Sequence, residues 1–180
     1  MYFIALVAPE EINKQVLKWK QLMFDRLTCS VALRSPAHIT LIPPFWMDVG
    51  LEAELQESIG RFADSQNAFD IELQNFSFFK PSVIFVEVIK NDRLQQLHKN
   101  LTSYLMDKDH FHIKKDERPF HPHITIAARD LRKKAFYEAR EIFKDKKYDA
   151  RRQAGSISIL RHDQKKWDVI STSQFKSFNP

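Results

Sequence analysis

Glycine is nearly missing from this chain. Gly50, Gly60 and Gly155 are the only three in 180 residues, and no GxGxxG or GxxxxGKS/T pattern can be built from them. That excludes the glycine-rich loops whose backbone amides cradle the phosphates of dinucleotides and nucleoside triphosphates. Cysteine is scarcer still. Cys29 stands alone, so no internal disulfide can form, and a reducing cytoplasmic compartment is the expected setting. No stretch approaches the roughly 18 apolar residues that cross a bilayer. The apolar start, Met1 to Pro9, is short, lacks a basic lead and runs into Glu10 and Glu11. It reads as a first strand rather than a signal peptide. No linker or low-complexity segment interrupts the chain.

What is present is aromatic and basic. Fifteen Phe and three Trp, in a chain that is 43% apolar, supply the bulk of a real core. The formal charge of +5 permits a phosphate-rich partner without requiring one. The length suits one domain over residues 1–180, or two tightly joined lobes within it. A monomer is expected.

Hydrophobic periodicity orders the elements. Residues 2–8 read as a strand, ended by Pro9. Residues 10–26 carry Ile12, Val16, Trp19 and Met23 at helical spacing, with Glu10 and Glu11 suited to a first turn. Residues 28–34 read as a short strand, broken at Ser35-Pro36. Helices are expected at 51–65, 92–107 and 131–147. A hairpin is expected from 69–79 and 83–89. Two last strands are expected near 155–162 and 167–175, and 108–122 reads mostly as a loop. This order points to α+β lobes built on antiparallel sheets.

One tetrapeptide pattern occurs twice, as His38-Ile39-Thr40-Leu41 and His123-Ile124-Thr125-Ile126, about half a chain apart. On a strand, alternate side chains face opposite ways. Each copy then sends His and Thr to one surface and its two aliphatic residues to the core. Pro43-Pro44 closes the first copy, because a central strand cannot continue through two prolines. Two imidazoles and two hydroxyls in one cleft, with no nucleophilic cysteine and no carboxylate pair, suit acid–base chemistry on an anion. His110, His112, His121 and His123 alternate in pairs. With only Asp109 and Asp116 as acidic helpers and no cysteine near, they do not read as a metal site.

The motifs and their flanks are similar to those of the 2H phosphoesterase superfamily, and within it to the bacterial 2′-5′ RNA ligase-like proteins and cyclic phosphodiesterases. The carrying stretches are Pro36-Ala37-His38-Ile39-Thr40-Leu41-Ile42-Pro43-Pro44-Phe45 and Phe120-His121-Pro122-His123-Ile124-Thr125-Ile126. The resemblance implies two similar lobes of antiparallel sheet with outer helices, facing each other across a central groove. It implies chemistry without metal or cofactor on 2′,3′-cyclic phosphates or 2′-5′ phosphodiesters of RNA ends or nucleotides. His38, Thr40, His123 and Thr125 would be catalytic, with His38 as acid and His123 as base in hydrolysis. In the reverse direction these roles exchange.

Such chemistry needs a base on the attacking side of phosphorus and an acid on the leaving side, and histidine suits both. The two threonines can donate to the non-bridging oxygens. A basic residue commonly follows the second motif of this superfamily by five positions. Here that position holds Ala128, and Arg129 comes one later. Arg129 is the candidate phosphate contact. Phe45, Trp46 and Phe120 flank the motifs and are candidates to hold a base by stacking. Two other readings stay open. One is a module that binds RNA ends without turnover, and the other is a phosphodiesterase for a small non-RNA cyclic phosphate.

Overall fold

A computed structural model describes residues 1–114 and 116–176. The strands are β1 (Tyr2–Val7), β2 (His38–Phe45), β3 (Phe69–Phe79), β4 (Val83–Val88), β5 (His123–Ala127), β6 (Asp149–Ala154), β7 (Ser156–His162) and β8 (Trp167–Gln174). The helices are α1 (Glu10–Leu27), α2 (Glu52–Ala63), α3 (Asp92–Met106) and α4 (Lys133–Phe143). The strands form one sheet in the order β6-β3-β4-β5-β2-β1-β7-β8, with every neighbouring pair antiparallel. No helix is long and apolar enough to cross a membrane among the described residues.

The sheet is two matched halves joined at its centre. Four strands, β2-β1-β7-β8, make one half, and β5-β4-β3-β6 make the other. Each half runs strand, helix, motif strand, helix: β1-α1-β2-α2 and β4-α3-β5-α4. The seam between β2 and β5 holds at Ile39 against Ile124. So short a seam needs support. The helices provide it by crossing over, since α1 packs on β5 and α3 packs on β2. Each half's first helix therefore lies beneath the other half's motif.

Ile39, Leu41, Ile124 and Ile126 are buried among Val16, Met23, Leu97 and Leu101 of those crossing helices. Fully burying such a side chain is worth about 1.5–3 kcal/mol. The alternation expected of the two motifs is thus what pins the sheet to its helical layer. The opposite face carries a small apolar cluster of Phe3, Ala5 and Leu160, with Val7 and Trp167 against it.

Two local expectations need correction, and one strand was not expected. The strand expected at 28–34 is a 3-10 turn at Val31–Arg34, with Thr28 just before it at φ 57°. Strand β2 does not stop before its prolines but runs through Pro43 and Pro44 to Phe45. Those prolines are exposed, β2 meets β5 only near Ile39, and the pairing with β1 is irregular between Tyr2 and Ile4. The missing N–H groups therefore fall where few partners await them. Strand β6 had no expectation, because Asp-Ala-Arg-Arg-Gln-Ala lacks the apolar alternation that marks a strand. Its pairing with β3 along six residues makes it an edge.

Candidate active site

The antiparallel pairing of Ile39 with Ile124 sets the whole arrangement. Carried one residue either way, that register places His38 beside Thr125 and Thr40 beside His123. The four side chains form a quartet on the helix-free face, with the two histidines at opposite corners and a threonine next to each.

Both histidines are held in the same way. The Nδ1–H of His38 donates to the Pro36 carbonyl at 2.7 Å, and that of His123 donates to the His121 carbonyl at 2.7 Å. A carbonyl can only accept, so each Nδ1 must carry the hydrogen and each Nε2 is left free for proton transfer. Each ring also leans on a buried phenyl ring. Phe3 lies 4.8 Å from His38, and Phe85 lies 4.9 Å from His123, centroid to centroid. The short segments Pro36-Ala37-His38 and His121-Pro122-His123 are therefore structural devices that aim an imidazole.

Burial works against a charge on either ring. Burial pushes His38 down to about 4, and the positive charges of Lys20 and His123 act the same way, against the Pro36 carbonyl. Burial likewise lowers His123, with Glu87 and the His121 carbonyl opposing. A bound phosphate anion would reverse the burial effect and let one ring take up a proton.

A cavity of about 170 Å³ opens over three of the four, lined by His38, Thr40, Thr125 and Arg129 on its polar side and by Phe3 and Trp167 on its apolar side, whereas His123 is not among its lining residues. Val31 and Ala32 of the 3-10 turn, and Ser35 just after it, close one wall. Arg129 reaches this cavity through an unusual backbone. Its φ is 61°, and the Asp130 N–H donates to the Ala128 carbonyl at 2.7 Å, closing a three-residue turn. Turns of this kind with positive φ are rare and strained. The turn brings Arg129 to the cavity although it comes one residue later than the usual spacing. Asp130 ties the turn to the other half, accepting from the amides of Ser30 at 2.7 Å and Val31 at 3.0 Å.

Phe45 and Phe120 are not among the residues lining this cavity. Phe45 is buried against Tyr2 on the helix side, and Phe120 stacks on His98 at 3.8 Å. Trp46 is 74% exposed and lines a separate groove with Phe45 and Arg118. Trp167 and Phe3 are the aromatic residues that line the cavity beside His38. Phe3 could have been suspected from its alternation in β1, but nothing near Trp167 signals that the β7–β8 hairpin would fold beside the first motif. Among the described residues no group of three His, Cys, Asp or Glu side chains could hold a metal ion.

Residues 8–166 match the 2′-5′ RNA ligase superfamily. The chain belongs to that superfamily. The chain is 38% identical over 98 residues to a provisionally named phosphoesterase of Geobacillus thermodenitrificans (strain NG80-2), covering 53% of each sequence. A similarly named protein of Geobacillus kaustophilus (strain HTA426) is 37% identical over 98 residues, again 53% of each. The chain spans about half the length of these curated relatives in the match. Among solved structures, TT0787 of Thermus thermophilus superposes with a TM-score of 0.72 at 15% identity, covering 99% of both chains. LigT of E. coli complexed with 3′-AMP gives 0.70 at 20% identity, covering 97% of both. At such identities the likeness establishes the α+β antiparallel fold of the superfamily.

Proposed function

We propose that this superfamily member is a phosphoesterase that works without metal, using His38 and His123 as an acid–base pair. Its substrates are 2′,3′-cyclic phosphate or 2′-5′ phosphodiester bonds of RNA ends or nucleotides. The observation that carries this reading is the register of β2 on β5, which sets two imidazoles with free Nε2 atoms at opposite corners of one quartet. In-line displacement at phosphorus needs that opposition. One imidazole takes the proton of an attacking water as the new P–O bond forms. The other protonates the ribose oxygen as its bond to phosphorus breaks. Thr40 and Thr125, between the two, donate to the non-bridging oxygens, and Arg129 offsets their charge. With a 5′-hydroxyl in place of water, the same steps join a 2′-5′ linkage. A nucleotide-sized ligand is consistent with the capture of 3′-AMP by E. coli LigT, which shares the fold.

The deciding experiment is hydrolysis of 2′,3′-cyclic nucleotides in EDTA by the wild type, His38→Ala and His123→Ala. Each variant should lose about 10²–10⁴-fold in turnover. Activity lost on adding EDTA would overturn the metal-free mechanism. Affinity for RNA ends without turnover of any cyclic or 2′-5′ substrate would show a binding module instead.

A further inference from the structure

The two halves match at the histidine, the threonine, the carbonyl two residues upstream and a supporting phenyl ring. They differ in what sits opposite each histidine in the neighbouring strand. Val7 pairs with His38, whereas Glu87 pairs with His123. The Glu87 carboxylate accepts from His121 Nε2 at 2.9 Å, and the His121 carbonyl accepts from His123 Nδ1 at 2.7 Å. His121 is exposed, with its ring 5.0 Å from Phe79 and 5.7 Å from Phe85. Glu87 is therefore linked to His123 both through space and through His121.

The first half carries the opposite charge. Lys20 of α1 is 3% exposed and donates to the Ser35 carbonyl at 2.9 Å, and Ser35 lines the cavity beside His38. Its charge is felt at His38. The charged groups acting on His38 are thus Lys20 and His123, and those acting on His123 are His121 and Glu87. Arg129 borders the cavity that His38 lines.

We propose that Glu87 and His121 are positioning residues for His123, making it the proton donor of the hydrolytic reaction, and that Val7 and Lys20 leave His38 as the base. This rests on the function proposed above and reverses the roles that family resemblance implies. In the balanced step, His38 Nε2 accepts a proton from water while the water oxygen bonds to phosphorus. His123 Nε2 gives its proton to the departing ribose oxygen. The product is a phosphomonoester with a free neighbouring hydroxyl, and the pair has exchanged protonation states.

The test has two arms. Imidazole titration by nuclear magnetic resonance, with inorganic phosphate as the probe, should show His123 protonated at higher pH than His38. Glu87→Gln should shift the His123 titration to lower pH, and Glu87→Asp should restore it. In pH–rate profiles of 2′,3′-cyclic nucleotide hydrolysis, Glu87→Gln should move the alkaline limb inward, lowering turnover there roughly tenfold. If His38 titrates above His123, or if Glu87→Gln leaves both the titration and the alkaline limb in place, the proposal is wrong. If the wild type turns over no such substrate, the functional reading fails on its own, while the titration order still judges the Glu87–His121 pair.

Discussion

Arg129 offers a way to separate what a residue does for stability from what it does for activity. Its φ of 61° lies where a Cβ is crowded, and a non-glycine residue held there costs on the order of 1–3 kcal/mol. The surrounding bonds hold it there: Asp130 N–H to Ala128, and the Ser30 and Val31 amides to Asp130. Arg129→Ala keeps the Cβ and the strain but removes the guanidinium. Arg129→Gly removes both. The glycine variant should therefore be more stable than the alanine variant by about 1 kcal/mol, the lower end of that range, because glycine also loses more freedom on folding. In a chain of this size that is about 2–4 °C in melting temperature. Catalysis should treat the two variants alike. An ionic hydrogen bond to phosphate is worth about 1.5–3 kcal/mol, and the exposure of Arg129 favours the lower end. Both variants should lose roughly 10- to 50-fold in kcat/KM on a 2′,3′-cyclic nucleotide, since each 1.4 kcal/mol is tenfold. Calorimetry and initial rates suffice to read this. A glycine variant less stable than the alanine variant would refute the strained turn. Wild-type kcat/KM in both variants would remove Arg129 from the phosphate site.

Two further outcomes follow from the geometry. His38 is held at about 4, below its ordinary value of about 6.5, so the unfolded chain takes up a proton before the folded one does. Stability from this group is complete above about pH 6.5, falls by at most about 3 kcal/mol as the pH drops towards 4, and changes no further below that. Urea unfolding at pH 7 and pH 4.5 should show this loss in the wild type and a smaller one in His38→Gln; equal losses would place His38 in ordinary solvent. Asp130→Ala strands the amides of Ser30 and Val31, and should cost about 2 kcal/mol and raise KM as the 31–35 wall loosens. A stability equal to wild type would mean that those bonds do not hold the wall.

Much of the fold was legible because it rests on local periodicity. The face of α1 that buries Ile12, Val16 and Met23 was visible as a helical stripe, and the hairpin of β3 and β4 as alternation. The elements that escaped were those whose state is decided by neighbours. Strand β6 is polar and is a strand because β3 pairs with it. Residues 31–34 turn because Asp130, from the far half of the chain, captures the amides at their start. Prolines 43 and 44 remain in a strand because their N–H groups would have met no partner on the side of β5.

The candidate site divides in the same way. The repeated His-x-Thr on strands, with aliphatics between, was enough to name His38, Thr40, His123 and Thr125 and to turn them to one face, because a period of two is a property of any strand. The aim of each imidazole also lies in local sequence, in a carbonyl two residues upstream. What only the tertiary structure decided is how the two copies meet. The pairing of Ile39 with Ile124 and the crossing of α1 and α3 put the histidines at opposite corners. The turn at Arg129 sets that residue at the cavity. Trp167 and Glu87 entered the picture through strands distant in sequence from the motifs beside them. Local periodicity can orient a side chain, but only long-range pairing determines which side chain it faces.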